Sequence, residues 1–217
     1  MKQIIIVTIL LLSLLLTSCT LNDPIDEMYV ENLTVTNEFA LTNYVWEDFR
    51  VPVNLVKIPG EKAPSWEVYS STLALYFSNQ AVAGNEEEVY FVVQLPHGYA
   101  ERTDISPHIH YAFESDEVGT QIRWGLSYSW ANVGNEFPAP NTIYALTSEA
   151  NNDSGIHKVA EFDMIDGTGK EISSLLLCRL FRNSSNGLDT YVNDGVFLDF
   201  DIHYQIDGLG ADEKFIK

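Results

Sequence analysis

The sequence predicts an all-β protein built as a single antiparallel β-sandwich of jelly-roll type. Three observations carry that expectation. Apolar residues recur with a period of two over short windows, turn-forming clusters containing Gly and Asn interrupt those windows, and no stretch shows a helical stripe of comparable length. About eight to ten strands with polar connections suit a sandwich better than an α/β enzyme.

The chain opens on a different signal. Lys2 precedes an unbroken apolar run, Ile4 to Leu16, which ends in Leu16-Thr17-Ser18-Cys19. That run is too short to span a bilayer comfortably and reads as an export signal occupying residues 1–18. Residues 19–43 carry charged and turn-forming side chains around one β-favouring patch, residues 29–36, and read as a tether holding a short strand. Residues 44–217 are then the sandwich domain.

Within that domain the clearest strand has Ile122, Trp124, Leu126, Tyr128 and Trp130 alternating with Gln121, Arg123, Gly125, Ser127 and Ser129. One face of it is buried and the other wet, as in an antiparallel sheet covered on a single side. Val89, Phe91, Val93 and Leu95 repeat the pattern before Pro96, and Leu198, Phe200, Ile202 and Tyr204 repeat it near the end. Further strands are expected at residues 65–77, 142–146, 157–162 and 172–182. Residues 134–141 and 183–189 read as surface loops, and Glu86-Glu87-Glu88 as a charged gatekeeper before a hydrophobic strand.

Composition narrows the class of function. Asp and Glu number 31 against 12 Lys and Arg, for a formal net charge of −19. Such a field repels phosphate backbones and anionic headgroups, so neither a nucleic-acid partner nor a polybasic membrane contact is expected. Of the two cysteines, Cys19 lies at the cleavage point, and Cys178, inside Leu175-Leu176-Leu177-Cys178-Arg179-Leu180-Phe181, has no partner left. There is no disulfide framework, and Cys178 reads as a small buried hydrophobe.

Histidine is the best source of candidate chemistry. His108 and His110 stand at i and i+2 of a strand, so both imidazoles point to one side, and Glu114 shares that side. With His203, these residues could present nitrogen and oxygen ligands to a divalent transition metal such as Zn, Fe or Mn. The competing reading puts His108 and His110 on a solvated face whose reverse, Ile109, Tyr111 and Phe113, is core. No cofactor is expected in that case. Asp201 could add an oxygen ligand. Asp199 and Asp201 are also the best carboxylate pair by strand geometry.

Other signatures are incomplete. Gly167-Thr168-Gly169-Lys170 lacks both the first glycine and the hydroxyl residue of a P-loop, and Gly125-Leu126-Ser127-Tyr128-Ser129 breaks a nucleophile elbow at its last position. Among the aromatics, Trp124 and Trp130 fall in a core phase. Trp46 and Trp66, with eleven tyrosines, could supply a stacking platform for sugar rings.

Three resemblances add to this reading. Leu16-Thr17-Ser18-Cys19 resembles the lipobox of bacterial lipoproteins, which implies an acylated Cys19 and an exported protein anchored by lipid in the bacterial envelope, at the outer membrane or cell surface. Two or three acyl chains hold firmly, since each buried CH2 contributes about 0.8 kcal/mol. His108-x-His110 followed by Glu114 resembles the first metal-binding motif of cupins, with Arg102 standing where those proteins usually have a glycine. Finally, Trp46-Glu47-Asp48-Phe49-Arg50-Val51-Pro52, Pro107-His108-Ile109-His110, Tyr128-Ser129-Trp130-Ala131-Asn132, Asp166-Gly167-Thr168-Gly169, Ser173-Ser174-Leu175-Leu176-Leu177-Cys178-Arg179 and Asp201-Ile202-His203-Tyr204-Gln205-Ile206-Asp207 together resemble a family of tailed-phage virion structural proteins. That last resemblance covers residues 44–217. It implies a non-enzymatic β-sandwich acting in surface recognition or assembly, with a protein or glycan partner or a homo-oligomer as its context.

Overall fold

The computed structural model describes residues 40–79, 83–215 and 217. The export signal, Cys19 and the strand expected at residues 29–36 lie outside the described residues. All the described residues belong to one compact unit. Its first strand, β1 (Ala40–Pro52), takes in the last residues assigned above to the tether.

A short 3-10 turn, Val53–Leu55, follows β1. Next come β2 (Ser65–Tyr69), β3 (Thr72–Phe77), β4 (Glu88–Gln94), β5 (Ser106–Phe113) and β6 (Arg123–Ala131). The series ends with β7 (Asn141–Leu146), β8 (Lys158–Glu161), β9 (Leu175–Arg182) and β10 (Gly195–Gly208). One sheet has the order β2-β3-β10-β5-β8, with β1 also paired to β10, and the other has the order β4-β9-β6-β7. Every pairing between these strands is antiparallel. From β3 onward the chain crosses between sheets at each connection except the β6–β7 hairpin. That gives β3-β10-β5-β8 facing β4-β9-β6-β7, the two interleaved four-strand sheets of a jelly roll.

The core forms where the alternating faces meet. Ile109, Tyr111 and Phe113 of β5 and Phe200, Ile202 and Tyr204 of β10 face Phe91 of β4, Trp124 and Leu126 of β6, and Leu176 and Cys178 of β9. Phe77 meets Trp124 edge-on at 5.2 Å between ring centroids, and Phe91 meets Phe200 at 4.8 Å. The edge-on arrangement of the first pair is favoured for quadrupolar rings. Burial pushes the Cys178 thiol up to about 12, so it is protonated at neutral pH.

Three departures from simple alternation matter. The β10 register slips between Phe197 and Asp199 opposite β5. This bulge puts Phe197 in the core and leaves Leu198 on the outer face against Val196 and Ala112, the reverse of the phase expected for Leu198. Secondly, the stretch expected as a surface loop at residues 183–189 buries Asn183, Ser184 and Asp189. Asp189 is drawn in by Arg182, which is fully buried and donates to it through Nε (3.1 Å) and Nη2 (2.8 Å) and to the carbonyls of Phe77 and Asn193. A buried guanidinium needs such a cage, because leaving it unpaired would be strongly destabilising. Thirdly, Glu86 and Glu88 are buried instead of forming an exposed charged run. Glu88 pairs with Arg179, and Glu86 accepts from Gly84 N at 3.1 Å.

Two glycines are dictated by close approach. A Cβ on Gly167 would lie 1.8 Å from the carbonyl oxygen of Thr103, which accounts for the turn that looked like part of a P-loop. On β6, a Cβ on Gly125 would lie 2.2 Å from the tip of the Phe181 ring packed across it. Replacing Gly125 with Ala should therefore destabilise the fold by about 1–3 kcal/mol through overpacking, seen as a lowered thermal midpoint, with Phe181→Leu in the same chain restoring part of the loss. A thiol reagent at pH 8 should leave Cys178 unmodified in the folded protein and label it fully in denaturant, as read by peptide mass spectrometry.

Candidate functional sites

Each sheet turns a distinct outer surface to solvent, and the pairing register determines what that surface carries. On the six-stranded sheet, β1, β10, β5 and β8 align in rows. Arg50, Asp201, His108 and Glu161 form one row, and Pro52, Asp199, His110 and Val159 form the next. Asp48 and His203 pair in the row on the other side. Residues directly opposite on one face have side chains near contact, so register alone gathers the polar groups of four strands.

The resulting cluster is tight. His108 Nε2 lies 3.1 Å from His110 Nε2, and the Asp201 Oδ2 atom lies 3.2 Å from His110 Nε2 and 3.7 Å from His108 Nε2. His203 stacks obliquely on His108, with centroids 4.4 Å apart, and its Nε2 contacts Asp48 Oδ1 at 2.8 Å. From the connection before β8, His157 lies against His110, with His157 Nε2 at 2.6 Å from His110 Nδ1. On this outer face His108 and Asp201 are buried, at 4% and 6% exposure, and His110 is half-buried, so His108 itself is not solvated as the alternative reading has it. Burial, followed by the neighbouring His203 and His110, pulls the His108 pKa below the ordinary imidazole value.

The sequence-derived candidates divide accordingly. His108, His110 and His203 come together, and Asp201 joins them from β10. Glu114 does not: it lies past the end of β5, where its carboxylate accepts from Asp194 N at 3.1 Å. Four residues of extended chain separate it from His110 by roughly 13 Å. His97, a histidine beside β4 that was not in the candidate set, lies apart from the cluster, with its ring 3.3 Å from Ser173 Oγ. His157 was not among the candidates, although it heads the strand expected at residues 157–162, because only the pairing of β8 with β5 brings it to His110. Asp199, the other half of the carboxylate pair, is ion-paired with Arg50.

The four-stranded sheet presents a different surface. Its outward rows run Tyr90, Arg179, Ser127, Thr142 and Val92, Leu177, Ser129 across β4, β9, β6 and β7. With Lys57 on one side and Phe137, Pro138 and Pro140 on the other, the β4, β9 and β6 members of these rows line a groove of about 520 Å³. Its size falls within the range of small-molecule sites. Tyr90 and Phe137 are 38% and 44% exposed. The polar groups are held in place: Tyr90 Oη donates to Glu88 at 2.8 Å, Ser127 and Thr142 share a hydroxyl contact at 2.7 Å, and Ser129 donates to the Pro138 carbonyl at 2.6 Å. Trp46 and Trp66, the tryptophans considered as a platform, are both exposed but lie on strands of the other sheet.

No protein-family model matches the chain, and no curated protein matches it in sequence. Among solved structures, it is similar to a family 61 carbohydrate-binding module determined in complex with β-1,4-galactotriose. The identity is 12% and the TM-score 0.33, with 72% of this chain and 86% of that one covered. It is also similar to the xylan-binding family 22 module of Paenibacillus barcinonensis Xyn10C, at 13% identity and a TM-score of 0.34, covering 79% and 93% of the respective chains. A family 28 module specific for non-crystalline cellulose aligns at 10% identity and a TM-score of 0.33, covering 72% and 89%.

Proposed function

We propose that this protein is a lipid-anchored binding protein of the bacterial envelope whose β-sandwich takes a glycan in the groove of its four-stranded sheet. The observation that carries the reading is the composition of that groove. Tyr90 and Phe137 offer ring faces to the C–H face of a pyranose, and Val92, Leu177, Pro138 and Pro140 continue the apolar surface. Arg179, Lys57 and the two serine hydroxyls stand close enough to meet sugar hydroxyls. A sugar needs both kinds of contact at once, since it is apolar on its ring faces and a dense set of donors and acceptors at its edge.

The anchor rests on Leu16-Thr17-Ser18-Cys19, and the strongly acidic composition makes acyl chains a better attachment than a charged surface patch. The resemblance of residues 44–217 to phage virion proteins suits the same role, a sandwich that recognises a surface and turns nothing over.

On a glycan array the purified chain should give a reproducible hit, and Tyr90→Ala and Phe137→Ala should each weaken it roughly tenfold, the order expected for losing one aromatic stack. A folded protein with no hit, or a hit indifferent to both substitutions, contradicts the groove. Separately, radiolabelled palmitate should be incorporated in cells expressing the natural chain and not in cells expressing Cys19→Ala.

A further inference from the structure

The geometry points to a divalent transition-metal site on the opposite sheet, formed by His108 Nε2, His110 Nε2 and the carboxylate of Asp201, with zinc as the ion that fits best. The three donor atoms are mutually 3.1, 3.2 and 3.7 Å apart. A point equidistant from them lies about 1.9 Å from each, so an ion at the 2.0–2.1 Å of a zinc–imidazole bond sits just above their plane. Their mean spacing is also that of a tetrahedron's edge at such a bond length, leaving a fourth position on the outward side for water or another ligand.

The hydrogen bonds supplied by the chain favour a cation. Two imidazole nitrogens and a carboxylate oxygen converge here, and one proton cannot satisfy all their lone pairs. Asp201 Oδ1 is buried and has no hydrogen-bond partner among the described residues, and Arg50 Nε approaches it only to 3.8 Å. It is the carboxylate oxygen other than the Oδ2 atom that meets the two imidazoles, so its lone pairs are also left for a cation. Around the triad, Asp48, Asp199 and Glu161 add negative charge against the one guanidinium of Arg50. With His110 Nε2 turned to the ion, its Nδ1–H donates to His157 Nε2, the outer hydrogen bond that normally fixes a metal-bound imidazole.

The ligands come from β5 and β10, adjacent central strands, so an ion there would cross-link the middle of the sheet. Metal that binds only the folded state raises its stability by mass action. This inference is independent of the groove, which lies on the other sheet and contains no histidine.

The test uses the full chain, purified in detergent without a histidine tag, stripped with chelator and titrated with zinc. One zinc per chain should bind, and the thermal midpoint should rise with added zinc. His110→Ala, the most exposed of the three ligands, should abolish both effects. Asp201→Asn should weaken binding as well, and His157→Ala should do so by roughly 10–100-fold, the range for losing an orienting partner. His97→Ala should behave as the natural chain. If the natural chain, folded by circular dichroism, takes up no stoichiometric zinc, or if folded His110→Ala binds it with unchanged affinity, the site is overturned.

Discussion

The antiparallel register of β10 against β5 is the constraint on which the rest of this molecule depends. Phe200 pairs with Ile109 and Asp201 with His108, so the same ladder that sends three aromatic or aliphatic side chains of β10 inward sends its carboxylates outward beside two histidines. Side-chain direction in a strand has a period of two, and a slip of one residue would bury the acidic set and expose the aromatic one. The cost of that exchange fixes the register without help from the polar groups. The His–Asp cluster is therefore held by hydrophobic packing behind it. The bulge at Leu198 refines this arrangement, because it lets Phe197 and Phe200 both reach the core while Asp199 and Asp201 stay on the outer face.

A jelly roll with two exposed sheet faces can carry two unrelated surfaces. Here they differ in chemistry. The six-stranded sheet concentrates imidazoles and carboxylates, and the four-stranded sheet carries rings, aliphatic side chains and a few anchored polar groups. The shared core couples their stability but gives neither a direct contact with the other. Arg182 and Asp189 contribute at one end of the sandwich, tying the terminus of β9 to the segment before β10 through a buried ion pair and carbonyl contacts. Removing either partner would leave a buried charge uncompensated.

How much of this was legible in the sequence depended on the range of the interaction. Alternation is local, so most of the strands, the buried phase of Trp124 and Trp130, the buried Cys178 and the sandwich class could be read directly, although residues 65–77, expected as one strand, fold as the β2–β3 hairpin turning at Ser70 and Ser71. The pairing of His108 with His110 was equally local, requiring only that two residues be i and i+2 on one strand. Their carboxylate partner was not. Glu114 had the familiar spacing in sequence, yet it leaves the strand, while Asp201 arrives from a strand paired across the sheet. His157 was invisible for the same reason. The bulge at Leu198, the burial of Asn183, Ser184 and Asp189 around Arg182, and the ring lying over Gly125 are also products of long-range packing, and composition gave no warning of them. The groove could not be foreseen either, since its aromatic wall includes Phe137 from a loop and its floor is made from three strands brought together only in the sheet.

Anomalous diffraction at the zinc edge, from crystals of the zinc-loaded chain, tests the central claim most directly because it locates the ion and the register together. The account predicts one strong peak per chain, about 2.0–2.1 Å from Nε2 of both His108 and His110 and bonded to the carboxylate of Asp201, with His108 opposite Asp201 across the β5–β10 ladder. A peak elsewhere, no peak in a fully folded chain, or a ladder shifted by one residue would contradict it.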